Sequence, residues 1–186
     1  MDLFKAIKQR RSVYPHQFHD KKIADPDVKT LLELANWAPT HRKTEPWRFK
    51  VMAGDFKQSA GEFFKKVYLN NTEKPKSFKA QKIVEKFARS SHVIAVCMQR
   101  DPKESIPEWE EIAATAMAVQ NMWIASRALN IGMYWSTPSF KESLQDLIPL
   151  AEGEQCLGFL YCGYFEDKLD LLERQSDISK KIIWKK

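Results

Sequence analysis

The sequence predicts an α+β domain, a small sheet flanked by helices, and three observations carry that prediction. Two apolar runs, His92–Met98 and Gln155–Phe165, are nearly continuous, as strands covered on both faces require. A third run alternates: Trp47, Phe49 and Val51 point one way, and Arg48, Lys50 and Met52 the other, which is the period of a strand. Helical patterns separate these runs, the longest reaching from Pro107 to Leu129. With 186 residues the chain suffices for one domain with a real core and is short for two, so residues 1–186 read as a single domain.

Asp2 can cap a first helix whose apolar face holds Leu3, Phe4 and Ile7. That helix ends in Arg10-Arg11-Ser12. Basic residues at a helix C-terminus are favoured by the macrodipole, which is a sufficient structural reason for both arginines. The same three side chains could clamp a phosphate, since a guanidinium offers paired donors and Ser12 adds a hydroxyl. On chemistry alone the two readings balance.

Asp25-Pro26 reads as N-cap and first helical residue of a second helix, with Val28, Leu31, Leu32, Leu34, Ala35 and Ala38 as its buried stripe. Pro39 bars a further turn. Trp37 lies off that stripe, beside a donor-rich loop of Thr40, His41, Arg42, Lys43 and Thr44, and Pro46 then releases the chain into the alternating strand. A donor-rich loop between a helix end and a buried strand suits an acceptor-rich ligand.

Gly54-Asp55 turns into a helix carrying Phe56, Ala60, Phe63, Phe64, Val67 and Tyr68. Asn70–Pro75 is expected as a loop, and Phe78, Ile83, Val84 and Phe87 mark the next helix. From Pro107 to Leu129 apolar residues occur nearly all round, so this helix belongs in a core or an oligomer interface. Asn130 and Gly132 supply turn residues after it. Ile131–Pro138 reads as a short strand and loop, and Ser139 with Glu142 as a capping box for a helix to about Leu147. In the last buried run Gly158 and Gly163 mark close approach of neighbours. Arg174, on its own merits, is a surface arginine.

The net charge of +6 favours an anionic ligand, either nucleic acid or a phosphorylated small molecule. The lysines between Lys65 and Lys86 read as a solvated helical surface, in preference to a nucleic-acid face: zinc-finger spacing, basic-zipper heptads and aromatic-basic strands are all missing. No apolar run is long enough to span a bilayer, and the opening Met1–Lys5 has no secretory pattern, so a cytoplasmic protein without membrane contact is expected. Cys97, Cys156 and Cys162 sit in apolar runs as buried free thiols. There is no Gly-x-Gly-x-x-Gly after a strand and no P-loop. His16, His19, His41 and His92 fit no zinc spacing, and no nucleophile-base pair can be defended. Any chemistry must come from a cofactor.

Four dispersed segments, together spanning nearly the whole chain, resemble the nitroreductase family of FMN-dependent NAD(P)H oxidoreductases. They are Arg10-Arg11-Ser12; helix–Ala38-Pro39–polar loop–Pro46-Trp47–strand; Trp135-Ser136-Thr137; and Gly158-Phe159-Leu160-Tyr161-Cys162-Gly163-Tyr164. The resemblance implies a three-layer fold and a domain-intertwined homodimer with two tightly bound FMN at its interface and a small mixed sheet in each subunit. It implies that Arg10, Arg11 and Ser12 hold the FMN phosphate, with Arg174 as a second contact. It places Trp37, His41 and Lys43 at the flavin of the partner subunit and Trp135, Ser136 and Thr137 against the ring. The variable stretch Phe63–Phe87 makes Phe64, Tyr68 and Phe78 lid candidates as well as core residues. NADH or NADPH would be the transient reductant, and a nitroaromatic, quinone or similar small electron-poor molecule the acceptor, in a ping-pong cycle with no catalytic side chain. One departure is Tyr14, where the family usually carries Lys or Arg two residues after the serine. Either Arg42 or Lys43 supplies that charge, or the flavin potential is lower. Two other readings stay open: an FMN carrier or sensor with little turnover, and a basic nucleic-acid module.

Overall fold

The computed structural model describes residues 2–166 and 174–186. Helix α1 (Leu3–Gln9) starts on Asp2, whose carboxylate accepts from the Phe4 and Lys5 amides as expected. Its apolar side, Leu3, Phe4 and Ile7, lies open to solvent, and only Ala6 is buried. Helix α2 (Asp25–Ala35) begins one residue earlier than the capping pattern implies. Ala24 is the cap residue, with no side-chain bond, because Asp25 instead reaches His92 Nε2 at 3.2 Å.

Strand β1 (Trp47–Met52) leads into helices α3 (Gly54–Asn71) and α4 (Ser77–Arg89). Asn70 and Asn71, the first two residues of the expected loop, instead belong to α3. Strand β2 (His92–Gln99) is buried along nearly its whole length. Helix α5 (Glu108–Ala125) continues as a 3-10 turn over Ser126–Leu129 and ends on Asn130 in the left-handed conformation. Gly132 belongs to strand β3 (Ile131–Ser136) and not to that turn. Ser139–Asp146 is a 3-10 helix without the anticipated side-chain cap, so Ser139 and Glu142 form no capping box. Strand β4 (Glu154–Tyr164) closes the sheet.

The order is β1-β2-β4-β3, with every neighbouring pair antiparallel. The sheet is mixed only through an isolated parallel bridge between Ser12 and Met133. β2 and β4 are central, which is why their sequences lack polar alternation. Ile94, Val96, Leu160 and Cys162 pack with α2 and α5 on one face. Val93, Ala95, Cys97, Phe159 and Tyr161 pack with α3, α4 and Leu144 on the other. Three layers result, helices on both faces of the sheet. On edge strand β1, Trp47 and Phe49 join the α2–α5 core, Val51 is exposed, and Met52 is fully buried on the opposite face. Phe64 is a core residue, stacked among Phe87, Phe140 and Phe159. Phe78 is exposed.

All three cysteines are buried and free. Burial pushes the Cys162 thiol up to about 12. In the unfolded chain a thiol ionises near ~8.5. Above that pH the unfolded state releases a proton that the folded state keeps, so stability falls as pH rises towards the folded value, by at most ~1.4 kcal/mol per pH unit. Between pH 8 and 10, the unfolding free energy of the wild-type chain relative to Cys162→Ala should fall by about 2 kcal/mol, as measured by urea unfolding at each pH. A difference that does not move with pH would show that the thiol ionises within the fold.

Candidate functional site

The end of α1 forms a cationic pocket. Lys8, Arg10, Arg11, Ser12, Tyr14 and Arg174 surround a space of about 250 Å³. The Arg10 guanidinium lies over the Trp123 ring of α5, 4.8 Å from its centroid. Burial holds its pKa below the ordinary arginine value, and the positive charges of Arg174 and Arg11 depress it further. Arg11 donates through Nε to the Gln9 carbonyl at 3.3 Å, while its Nη1 is buried with no partner among the described residues. Among those residues no carboxylate pairs with Arg10, Arg11 or Arg174. Clustered guanidinium groups repel one another and leave donors unmet unless an anion enters between them. Arg174 joins this pocket from a remote stretch of sequence; it is exposed, yet its charge is felt at Arg10.

Residues 12 and 13 run beside β3. The Val13 amide donates to the Met133 carbonyl at 3.0 Å, completing the Ser12–Met133 bridge. Three residues further along β3, ~10 Å at the rise of a strand, lies the segment Trp135-Ser136-Thr137. It presses onto β4 at Gly158, whose φ is +146°. A Cβ there would sit 2.5 Å from the Ser136 carbonyl oxygen and 2.8 Å from Trp135 Nε1. Trp135 Nε1 is itself buried and has no partner among the described residues.

Two further spaces, sharing lining residues with the cationic pocket and with each other, follow α4 as far as Pro138 and make up a furrow. Tyr14, a wall of the cationic pocket, also lines a second space of about 210 Å³ with Pro15, His16, Lys82, Lys86 and Arg89. Lys82 and Lys86 in turn line a third, of about 300 Å³, with Tyr68, Lys79, Ile83, Pro138 and Phe140. Tyr14 packs on Tyr134, ring centroids 4.7 Å apart, and the Lys86 ammonium stands 5.5 Å from the Tyr134 centroid. Burial, and then the charge of Lys82, lower the Lys86 pKa.

The donor-rich loop lies elsewhere in this chain. Trp37 is 84% exposed. His41 Nδ1 is 2.6 Å from Glu110 Oε2 at the start of α5, and Arg42 donates to the Ser105 carbonyl at 3.0 Å. Arg42, Lys43 and Glu45 all adopt positive φ, a strained run of non-glycine residues. The loop is anchored at its exit by Trp47, whose Nε1–H donates to Asn36 Oδ1 at 2.9 Å. So the structure gathers Arg10, Arg11, Ser12 and Arg174, sets Trp135–Thr137 along the same edge, and keeps Trp37, His41 and Lys43 apart from both. Reasoning from sequence passed over Trp123, Tyr134 and Gly158 as parts of the site, and read Lys82 and Lys86 as solvated surface. The i, i+4 spacing of that lysine pair was the available signal.

Ser91, His92 and Asp25 form a chain of polar contacts, with Ser91 Oγ and His92 Nδ1 3.0 Å apart. Ser91 is buried and its hydroxyl accepts from the Ile23 amide at 2.7 Å, so this trio ties the approach to α2 onto β2 and offers no exposed nucleophile. Among the described residues no group of His, Cys, Asp and Glu could hold a metal, and no helix is long and apolar enough to cross a membrane.

A cationic pocket at the first helix, tied to an edge strand of a three-layer sheet, defines a class, and the comparisons give its name. The nitroreductase family model matches residues 7–164, and the chain belongs to that family. A nitroreductase-like family protein from Bacillus cereus superposes with a TM-score of 0.82 at 28% identity, covering 99% of this chain and 96% of that one. The FMN-dependent nitroreductase NfnB from Mycobacterium smegmatis, solved in complex with NADPH, shares the fold with a TM-score of 0.79 at 14% identity, covering 98% and 97%. By sequence, a Bacillus subtilis protein named as a candidate NAD(P)H nitroreductase, YfhC, is 25% identical over 175 residues, 90% of this chain and 87% of its own length.

Gly158→Ala should cost about 1–3 kcal/mol, from strain at positive φ and from the clash with Ser136 and Trp135. The urea midpoint measures it. An unchanged midpoint would show that residues 135–137 can retreat freely from β4.

Proposed function

We propose that this protein is an FMN-dependent NAD(P)H oxidoreductase of electron-poor acceptors such as nitroaromatics and quinones, working as a cytoplasmic homodimer. The observation that carries the reading is the cluster of Arg10, Arg11, Ser12 and Arg174, with a buried guanidinium nitrogen left unmet. A phosphate monoester supplies the acceptor oxygens and the charge that such a cluster lacks. The family and the names of its similar members support FMN and NAD(P)H as the groups involved.

FMN, held here, would supply two-electron hydride chemistry between NAD(P)H and an acceptor. This chain's residues bind and orient. Arg10, Arg11 and Arg174 offer guanidinium donors to the phosphate and Ser12 a hydroxyl. Arg10 rests over the Trp123 ring, which limits its rotamers before the ligand arrives. Tyr14 and Tyr134 wall the furrow beyond, and Trp135–Thr137 form the floor under the ring. Trp37, His41 and Lys43 would come from the partner subunit. Where the resemblance expects a cation at position 14, Lys86 brings one to the same furrow from α4.

Dimerisation is supported by apolar surface that a lone chain leaves uncovered. Leu3, Phe4 and Ile7 of α1, Trp109, Ile112 and Met117 of α5, and Ile183 and Trp184 near the end of the chain are all exposed. Together they exceed the scattered apolar residues normal for a monomer surface. The free buried thiols suit a reducing compartment.

Freshly purified protein should show the visible absorption of oxidised flavin, bleach on mixing with NADPH or NADH, and recover on adding a nitroaromatic. Flavin that is bound but not reduced would favour the carrier reading. Arg10→Ala should weaken FMN binding at least tenfold, because a charge-assisted contact of this kind is worth about 1.5–3 kcal/mol. Fluorescence titration of the apoprotein measures it, and unchanged affinity would remove the phosphate assignment.

A further inference from the structure

We propose that the end of the furrow beneath α4 selects acceptors in which a conjugated ring carries an anionic group, with Lys79 and Lys82 as the residues that read the charge. The inference rests on the flavoprotein reading above and adds the substrate class.

Lys79, Lys82 and Lys86 fall at i, i+3 and i+7 on α4, one face of the helix. All three line the same space of about 300 Å³, whose other walls are Tyr68, Ile83, Pro138, Ser139 and Phe140. That volume is at the small end of ligand sites and suits a molecule of one or two rings. Pro138 and Ser139 line this space, so its rim reaches the residue that follows Trp135–Thr137, the segment assigned to the flavin ring.

The charge here is uncompensated. Among the described residues none of the three ammonium groups pairs with a carboxylate. Lys82 stands 5.6 Å from the Phe78 centroid and Lys86 5.5 Å from that of Tyr134. The acids nearby are otherwise placed: Glu85 lines the adjoining space, and Glu142 is 3.7 Å from Lys141. Aromatic faces hold the lysine stems without neutralising them. The depressed pKa of half-buried Lys86, due to burial and to Lys82, agrees with a cavity where positive charge is in excess. An apolar slot rimmed by unpaired cations is complementary to an aromatic carboxylate, and it rewards the charged molecule over its neutral analogue.

The test uses FMN-loaded protein in its oxidised form, with 4-nitrobenzoate and its neutral methyl ester as probes and the flavin difference spectrum as readout. The wild-type protein should bind the acid at least tenfold more tightly than the ester, with the preference shrinking as salt is raised. In the Lys79→Gln/Lys82→Gln double variant the preference should fall below threefold. Equal affinity for acid and ester in the wild type, or a preference that survives the double variant, overturns the proposal. So does an outcome in which the variant loses affinity for NADP+ but not for the acid, which would assign the lysines to the nucleotide phosphates. Protein that takes up no flavin, seen in the spectrum before any probe is added, overturns the flavoprotein reading and this one with it. Bound flavin without acid preference overturns this one alone.

Discussion

The pinning of residues 12 and 13 to the edge of β3 fixes the geometry on which the rest of the site depends. A helix end carrying two arginines would otherwise be a fraying terminus with freely moving side chains. One backbone hydrogen bond from Val13 to Met133 and the bridge at Ser12 convert it into an extension of the sheet. Gly132 makes that close approach affordable in space, since a Cβ there would lie 2.8 Å from Val13. At its other end β3 is pressed onto Gly158 of β4. The cationic pocket and Trp135–Thr137 are therefore tied to one strand, and their separation is set by strand rise rather than by loop conformation.

A sheet of only four strands can hold such a strand rigid because its two central members are buried on both faces. β2 and β4 bring large apolar side chains to each layer, so slipping the register by one residue would exchange two differently shaped cores. α5 has a double task in this scheme. Ala114, Ala118, Val119 and Met122 face the sheet, and Trp109, Ile112 and Met117 are left outside. A helix apolar on two sides needs a second surface to cover it. The uncovered residues of α1 and of the chain's last segment have the same need, which the proposed homodimer would meet.

Much of this was legible in the sequence, and the reasons are physical. Continuous apolar runs declare central strands, and the pattern around Pro39 and Pro46 declares a helix stop and a strand start. The arginines at positions 10 and 11 could be seen, but the macrodipole explained them equally well. The family resemblance tips the balance towards a phosphate, and the arrival of Arg174 and the unmet Arg11 nitrogen, both properties of folded space, favour the same reading. Local signals failed where tertiary partners outbid them. Asp25 gives up its capping role to reach His92, Ser139 starts a 3-10 helix without using its hydroxyl as a cap, and Val51, on edge strand β1, is left exposed. Lys82 and Lys86 could not be told from solvated lysines, since their aromatic partners Phe78 and Tyr134 include one residue 48 positions away in the chain from Lys86.

The way this chain disposes of its positive charge unites these points. Away from the furrow several cations meet carboxylates, Lys50 with Glu154, Arg100 with Glu111 and Lys65 with Glu62, while Lys57 donates to backbone carbonyls and Lys21 and Arg127 lie over Tyr164 and Phe165. Along the furrow three others rest on rings: Arg10 on Trp123, Lys86 on Tyr134, Lys82 on Phe78. A carboxylate would cancel the field of its partner, whereas an aromatic face steadies the side chain and leaves most of the charge to act at a distance. The net charge of +6 is therefore an incomplete description. What matters is that uncancelled cations are strung along one path, from the end of α1 to the face of α4. Such a path suits a phosphate monoester at one end, as the proposed function requires, and favours negative charge along its length.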